Sequence, residues 1–211
     1  MKIKKSLNEW FFSYNGLNYY LDRRKMKKNK LDNLEQKINS CRKCPYGSKR
    51  NKLVFGEGNS NAEIIFIGEG PGKNEDKTGK PFVGRAGKLL RKIFKEEMID
   101  VSNIYIANIT KCRPFNNENP REKAVKNCLP YLEKQIEIIN PKLLVALGRV
   151  PSEILTKQKT KITKQHGNIR YFKNYPVIML YHPSYLLRNR GNIRMDEFRK
   201  DLNQSFQFIK K

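Results

Sequence analysis

Acidic residues, histidine, cysteine and long apolar runs are all scarce in this chain of 211 residues. Only 20 side chains are acidic against 44 lysines and arginines, so the formal net charge is +24. Such an excess favours a polyanionic partner, because each phosphate that is neutralised releases condensed counterions. The alternative is a lysine-rich composition that raises the charge without any partner.

The lack of long apolar runs excludes a membrane-spanning helix, which needs roughly 18 apolar residues. The basic start, MKIKKSLNEWFF, has no apolar core of a signal peptide. We therefore expect an intracellular, cytoplasmic protein with no membrane partner. Disulfides are rare in that compartment, so the few cysteines need another explanation.

The four cysteines are Cys41, Cys44, Cys112 and Cys128. The first two form a C-x-x-C pair, which fits zinc or an iron–sulfur cluster equally well. The second pair is too widely spaced for a zinc-ribbon knuckle, so the spacing favours a cluster slightly. Four unrelated core cysteines are the alternative, because free cysteine is often buried.

Strands and helices alternate along the chain from Ala62 onwards. The predicted strands are AEIIFIG, NIYIANIT, KLLVALG and YPVIMLYHP, and amphipathic helices follow them. One helix, NPREKAVKNCLPYLEKQIEII, contains Pro130, which predicts a kink or break. The alternation predicts a three-layer α/β/α sandwich around a parallel sheet, with the site at the carboxyl ends of the strands. The loops beginning at Gly68, Asn108 and His182 share that edge.

Residues 1–30 differ in composition from the rest of the chain. They contain YYLDRRKMKKNK, which mixes aromatic residues with a basic run. We predict a basic N-terminal extension at residues 1–30 and one α/β domain at residues 31–211. A solvated tail and a DNA contact both fit this composition.

The first strand leads into a glycine-rich turn, GEGPGKNED, of a kind that often holds phosphate. The turn matches neither the G-x-x-x-x-G-K-[ST] loop nor the G-x-G-x-x-G fingerprint. The carboxylates of Glu69, Glu75 and Asp76 would also repel a pyrophosphate. We therefore exclude a nucleotide site at this turn.

Five motifs stand in a fixed order: CRKCP, GEGPGKNEDKTGKPFVGRAG, NITKCRPFNNENP, the later Cys128, and HPSYLLR. In order and spacing they resemble family-4 uracil-DNA glycosylases, the iron–sulfur members of their superfamily. The resemblance covers about residues 31–211 and implies a four-stranded parallel sheet between helices. It also implies a [4Fe–4S] cluster on the four cysteines and excision of uracil from DNA. Members that trap their product covalently carry a basic, histidine-containing loop where this chain has KCRPFNN, so the resemblance is to the hydrolytic type.

The resemblance assigns roles to individual residues. His182 is the expected hydrogen-bond donor to uracil O2, joined by the main-chain N–H groups of Glu69 and Gly70. Asn108 is expected to accept from uracil N3–H and donate to O4, an arrangement that cytosine reverses. Phe82 is expected to stack on the base after it leaves the duplex.

Water activation and DNA contact complete the expected site. Other branches of the superfamily have an aspartate at the Gly70 position to assist the attacking water, so Glu69 or Glu75 is the candidate here. Either carboxylate could instead guard against the methyl group of thymine. His166, in a polar loop, is predicted to be a surface or DNA-facing residue. The expected DNA contacts are Lys80, Arg85, Ser184, Leu186, Leu187, Arg188 and Arg190, the leucines as wedges in the gap left by the base.

These observations predict a monomeric uracil-DNA glycosylase that binds uracil-containing DNA and leaves an abasic site. The cluster is expected to be structural, because hydrolysis of the base needs no electron. One alternative is a non-catalytic iron–sulfur protein of the same fold that binds DNA or senses damage. Another is an iron–sulfur electron carrier, which would have no need of Asn108 or His182.

Overall fold

The computed structural model describes residues 22, 24–189 and 191–210. The helices are α1 (24–39), α2 (Pro45–Lys49), α3 (Lys73–Thr78), α4 (Arg85–Glu96), α5 (Glu122–Ile139), α6 (Arg149–Thr156), α7 (Ile162–Gln165), α8 (Pro183–Arg188) and α9 (Asn192–Lys210). The strands are β1 (Glu57–Gly58), β2 (Ile64–Gly68), β3 (Ile104–Asn108), β4 (Leu143–Leu147), β5 (Ile169–Phe172) and β6 (Tyr175–Leu180).

The strands form one sheet in the order β1-β3-β2-β4-β6-β5. The inner strands β3, β2, β4 and β6 are parallel, which confirms the predicted fold class. The count of four strands was incomplete, because β1 and β5 pair antiparallel at the two edges of the sheet. These edge strands escape prediction because β1 has two residues and β5 is only partly buried, so neither forms an apolar run.

Helices cover both faces of the sheet, as β2 illustrates. Ile64 and Phe66 point to a core shared with α4, α8 and α9. Ile65 and Ile67 point to a second core shared with α1, α5 and α6. Because side chains alternate along a strand, a strand buried on both faces must be apolar throughout, which is why β2 reads as a continuous apolar run.

Helix α5 passes through Pro130 without interruption, so the predicted break was wrong. A proline in a helix interior removes one hydrogen bond and costs about 3 kcal/mol. Leu132 and Ile136 are almost completely buried on the same helix, and each such side chain contributes about 1.5–3 kcal/mol when buried. Tertiary packing on the sheet therefore outweighs the local preference. Among the described helices, α5 included, none has the length and apolar character to cross a membrane.

Helix α1 runs across the boundary predicted at residue 30. Leu31 and Ile38 anchor it in the core, and the ammonium of Lys27 donates to the carbonyl of Ile139 at the end of α5 (2.7 Å). Residues 1–21 and Arg23 lie outside the described residues. A DNA contact by the basic extension therefore stays a prediction.

Candidate active site

The predicted site residues meet at the carboxyl edge of the parallel strands. Gly68 ends β2 and is in register with Asn108, which ends β3. His182 follows β6 after one intervening residue, Tyr181. Residues far apart in the chain are neighbours here because parallel strands present their ends on the same side.

Gly68, Phe82 and Asn108 pack against one another and, with His182, define the candidate recess. A Cβ added at Gly68 would overlap the Asn108 Oδ1 atom and lie 2.6 Å from Phe82 Cζ. The Phe82 ring also lies near the imidazole of His182, with 6.0 Å between ring centroids and 38° between planes. The missing side chain at Gly68 therefore lets an aromatic ring and a carboxamide approach the end of β2, with an imidazole beside the ring.

The carboxamide of Asn108 is available to a ligand. The residue is only 2% exposed, yet its side chain makes no hydrogen bond to any other described residue. Its main-chain carbonyl, by contrast, accepts from the Lys111 ammonium at 3.0 Å. A carboxamide offers an acceptor and a donor side by side, so this group fits a flat ligand with the complementary pair.

His182 is held as a neutral imidazole. Its Nδ1 atom accepts from the Ser184 main-chain N–H (3.1 Å) and lies 2.7 Å from the Ser184 hydroxyl. An Nδ1 atom that accepts places the proton on Nε2, which has no partner among the described residues. Burial lowers the pKa of His182 to about 4, and the charge of Arg188 acts in the same direction. The site therefore keeps an Nε2–H donor at neutral pH, and Ser184 orients it.

Phe82 has a left-handed backbone, with φ of 52°. This conformation is uncommon for any residue other than glycine, so neighbouring contacts must maintain it. Glu75 supplies two of them, because its Oε1 atom accepts from the N–H groups of Val83 (2.8 Å) and Gly84 (2.6 Å). The buried carboxylate of Glu75 thus shapes the aromatic loop, and its predicted contact with substrate stays a prediction.

A second set of contacts holds the same loop from α4. The guanidinium of Arg91 donates to the carbonyls of Phe82 and Pro81 and pairs with Glu57 on β1. Gly87 packs directly against the Phe82 carbonyl, where a Cβ would overlap it. The aromatic wall of the recess is therefore tied to both a helix and the edge of the sheet.

Glu69 is the carboxylate that directly follows Gly68 at the end of β2. Burial raises its pKa, and the positive charge of Arg149 partly opposes that shift. With its amide nitrogen turned towards the carboxylate, Asn119 lies 3.2 Å from Glu69 Oε1 and its oxygen 3.2 Å from Arg149 Nη2. A partly buried carboxylate with a raised pKa is suited to accept a proton from water. Sequence reasoning missed Asn119, in the loop before α5, and Arg149, the first residue of α6.

Gly70 has no room for a side chain. A Cβ at Gly70 would lie 2.6 Å from Thr110 Oγ1 and 3.3 Å from Pro114 Cδ. Thr110 is itself held, because its N–H donates to the Glu69 carbonyl (3.2 Å). The glycine thus belongs to a close packing of the two loops after β2 and β3, which excludes an aspartate at this position without rearrangement.

The four cysteines are free thiols around α2 and the start of α5, with Cys112 and Cys128 buried and the other two half-buried. Burial raises the pKa of Cys112; Arg50 opposes the shift, and Cys44 and Cys41 add to it. Within the described part of the chain, no three His, Cys, Asp or Glu side chains are placed to hold one metal ion.

Hydrogen-bond donors nevertheless point at the sulfur atoms. The guanidinium of Arg50 lies 3.1 Å from Cys112 Sγ, and the Lys111 N–H lies 3.3 Å from Cys128 Sγ. The Tyr131 hydroxyl lies 3.7 Å from Cys41 Sγ. A neutral thiol accepts hydrogen bonds weakly, whereas metal-bound thiolates are commonly stabilised by such donors. These donors would suit metal-bound thiolates, and the iron–sulfur cluster on the four cysteines stays a prediction.

The expected DNA contacts are split between surface and core. Lys80, Arg85 and Arg188 are exposed and Leu187 is half-buried. Leu186 is 2% exposed and packs in the core, so it is not available as a wedge. Because consecutive side chains of an α-helix point about 100° apart, Leu186 can face the core while Leu187 stays half-buried. Arg190 lies outside the described residues.

His166 is not the surface residue that the sequence suggested. Its Nδ1 atom lies 2.6 Å from Asp201 Oδ2, and its ring packs on Tyr181 with 4.5 Å between centroids. Asp201 is buried and lies on α9, far along the sequence. The polar sequence around His166 therefore gives no indication that Asp201 is its partner.

Comparison with known proteins gives extensive matches. A family model described as Uracil DNA glycosylase superfamily matches residues 55–207. The type-4 uracil-DNA glycosylase of Thermotoga maritima is 44% identical over 183 residues, covering 86% of this chain and 95% of that protein. The type-4 enzyme of Sulfurisphaera tokodaii is 39% identical over 189 residues, covering 85% and 83%. A type-5 uracil-DNA glycosylase of Pyrobaculum aerophilum is 26% identical over 165 residues, covering 70% and 73%.

Proposed function

Because the chain belongs to the uracil DNA glycosylase superfamily and, within it, to the type-4 enzymes, we propose that it excises uracil from DNA. It is a DNA glycosylase that hydrolyses the bond between C1′ of the sugar and N1 of the base, which leaves an abasic site for base excision repair. One observation carries the proposal: the Asn108 carboxamide, which has no hydrogen-bond partner among the described residues, and the imidazole of His182 both lie beside Phe82.

Recognition of the base follows from these groups. Uracil flipped out of the duplex stacks on Phe82 and meets the Asn108 carboxamide with its N3–H and O4. Cytosine presents an acceptor and a donor in reverse order, so both halves of the carboxamide would lose their partners. Leaving buried polar groups unpaired is the strongest form of discrimination available to such a site.

Cleavage needs stabilisation of two opposite charges. When the C1′–N1 bond breaks, its electron pair leaves with uracil and positive charge develops on the sugar. The neutral His182 donates from Nε2 to uracil O2, where the negative charge accumulates, and the N–H groups of Glu69 and Gly70 support it. A neutral donor is suitable here, because its hydrogen bond strengthens as the charge on the base develops.

Glu69 is the proposed acceptor for the proton of the attacking water. The water oxygen forms the new bond to C1′ and its proton passes to the carboxylate. Asn119 lies within hydrogen-bond distance of both this carboxylate and Arg149, so it can hold the carboxylate in place. The close packing of Gly70 on Thr110 supports Glu69 rather than a residue at position 70 in this role.

The proposed substrate accounts for the positive charge of the protein. Uracil-containing DNA brings many phosphates to a chain with a net charge of +24. The exposed Lys80, Arg85 and Arg188 are the proposed phosphate contacts, and Leu187 fills space left by the flipped base. We further propose that the protein acts inside the cell, as a monomer.

The assay that tests this function uses labelled oligonucleotides with one uracil opposite guanine, opposite adenine, or unpaired. We expect alkali-labile abasic sites at the uracil position and none in matched oligonucleotides that carry thymine or cytosine there. Tight binding of uracil-containing DNA without abasic sites would instead support a non-catalytic damage-sensing protein.

We propose that Cys41, Cys44, Cys112 and Cys128 hold a [4Fe–4S] cluster. Four thiolates are the usual ligand set of such a cluster, and donors already point at three of the sulfur atoms. Bound there, the cluster would join the segments around α2, the loop after β3 and the start of α5. Its proposed contribution is structural, because the hydrolysis itself transfers no electron.

Metal analysis tests the cluster. Freshly purified protein should be yellow-brown, with iron and sulfide at about four each per chain. Cys112→Ser should lower the iron content and the thermal stability, because metal binding is coupled to folding. Stoichiometric zinc without sulfide in the wild-type protein would contradict the assignment.

A further inference from the structure

Lys111 is a buried residue that links the cysteine site to the base-recognition site. The residue is 1% exposed, and its side-chain nitrogen donates to the main-chain carbonyl of Asn108 (3.0 Å) and to Gln135 Oε1 (2.6 Å). No carboxylate among the described residues forms an ion pair with it. Two uncharged acceptors, one at the end of β3 and one on α5, therefore hold this nitrogen in place.

The cysteine site lies next to Lys111 through its main chain. The Lys111 N–H donates to Cys128 Sγ at 3.3 Å, and Cys112 is the following residue. On the other side of the cysteines, the Arg50 guanidinium reaches Cys112 Sγ at 3.1 Å. Two donors thus reach the thiols, one from the main chain of Lys111 and one from the guanidinium of Arg50.

Gln135 completes the positioning of the ammonium. Its Nε2 group donates to the Phe55 carbonyl (3.0 Å) and to the Tyr105 hydroxyl (3.2 Å). With both amide protons engaged, the oxygen of Gln135 must face Lys111. Lys111 is thereby directed at the main chain of Asn108.

We propose that Lys111 is a positioning residue: its side-chain nitrogen fixes the main chain from which the Asn108 carboxamide projects. This inference rests on the proposed function of the same site.

The test compares Lys111→Met with Lys49→Met, the same substitution at an exposed lysine on α2. In Lys111→Met we expect kcat per bound iron to fall roughly 10–100-fold with a much smaller change in KM. The iron content should stay close to that of the wild type, because Lys111 contacts Cys128 through its main chain. Lys49→Met should match the wild type in both measurements.

A double-mutant cycle with Asn108→Ala shows whether Lys111 acts through Asn108. If it does, Lys111→Met should have little further effect on kcat per iron once the carboxamide is gone, because the two effects are not additive. Additive losses, or a loss of activity that only follows the loss of iron, would overturn the proposal. Wild-type protein that excises no uracil would defeat the proposed function instead.

A second variant decides the matter if Lys111→Met does not accumulate as folded protein. Gln135→Leu keeps the charge of Lys111 but removes one of its two acceptors. We expect full iron content with kcat per iron reduced several-fold, since the ammonium is less well directed. Wild-type kcat per iron in Gln135→Leu would overturn the positioning role.

Discussion

Asn108→Ala is expected to lower uracil excision by about 10²–10³ in rate, which corresponds to about 2.7–4 kcal/mol of transition-state stabilisation. The carboxamide makes no hydrogen bond to the described residues, so its removal leaves no protein group without a partner. The fold and the iron content should therefore be unchanged. Single-turnover rates on a uracil oligonucleotide measure the effect, and Asn33→Ala, at an exposed position on α1, is the matched control.

Asn108→Asp refines the same experiment. An ionised carboxylate accepts from uracil N3–H but repels O4, so uracil activity should be lost. A protonated one can donate to N3 of cytosine and accept from its amino group, so a trace of cytosine excision is expected at low pH. Wild-type uracil rates in both variants, with iron retained, would place base recognition elsewhere.

Gly68→Ala is expected to abolish measurable excision while the protein stays folded. The new methyl group would overlap Asn108 Oδ1 and approach Phe82 Cζ to 2.6 Å. Both are side-chain atoms that can shift, so the strain is relieved by displacing the two groups that recognise the base. The loss in rate should equal or exceed that of Asn108→Ala, because both contacts are disturbed at once.

Gly191→Ala provides the control for this substitution, since a Cβ there meets nothing within 4 Å. Thermal unfolding and iron content should be close to wild type in both glycine variants, and only Gly68→Ala should lose activity. An active Gly68→Ala enzyme would show that the base does not enter between Phe82 and Asn108.

The parts of the fold that can be read from the sequence are those with a repeating pattern. The inner strands are apolar runs because both of their faces are buried, and β2 is the clearest case. The continuity of the helix through Pro130 was not predicted, because it depends on packing against the sheet and not on local helix propensity. The edge strand β1, with two residues, has no pattern at all.

In the site, too, some residues can be placed from a local sequence pattern, whereas others depend on tertiary contacts. Asn108 and His182 can be placed from the sequence because each stands at the end of a strand, and strand ends share one edge. The roles of Glu75 and Lys111 cannot, since Glu75 acts on main-chain groups and Lys111 has its partners across the core. Leu186 belongs to the core for a related reason: the face of a short helix depends on where the helix docks.

The left-handed backbone of Phe82 has a consequence for how the enzyme searches DNA. Glu75 and Arg91 hold the main chain around Phe82 in the folded chain, so in the proposed mechanism this segment does not have to become ordered each time a base arrives. The rate at which a base is accepted or rejected is therefore limited only by how fast the base enters and leaves the recess. Normal bases vastly outnumber uracil in a genome. If Phe82 needs no closing movement, each normal base that enters the recess spends less time there before it leaves.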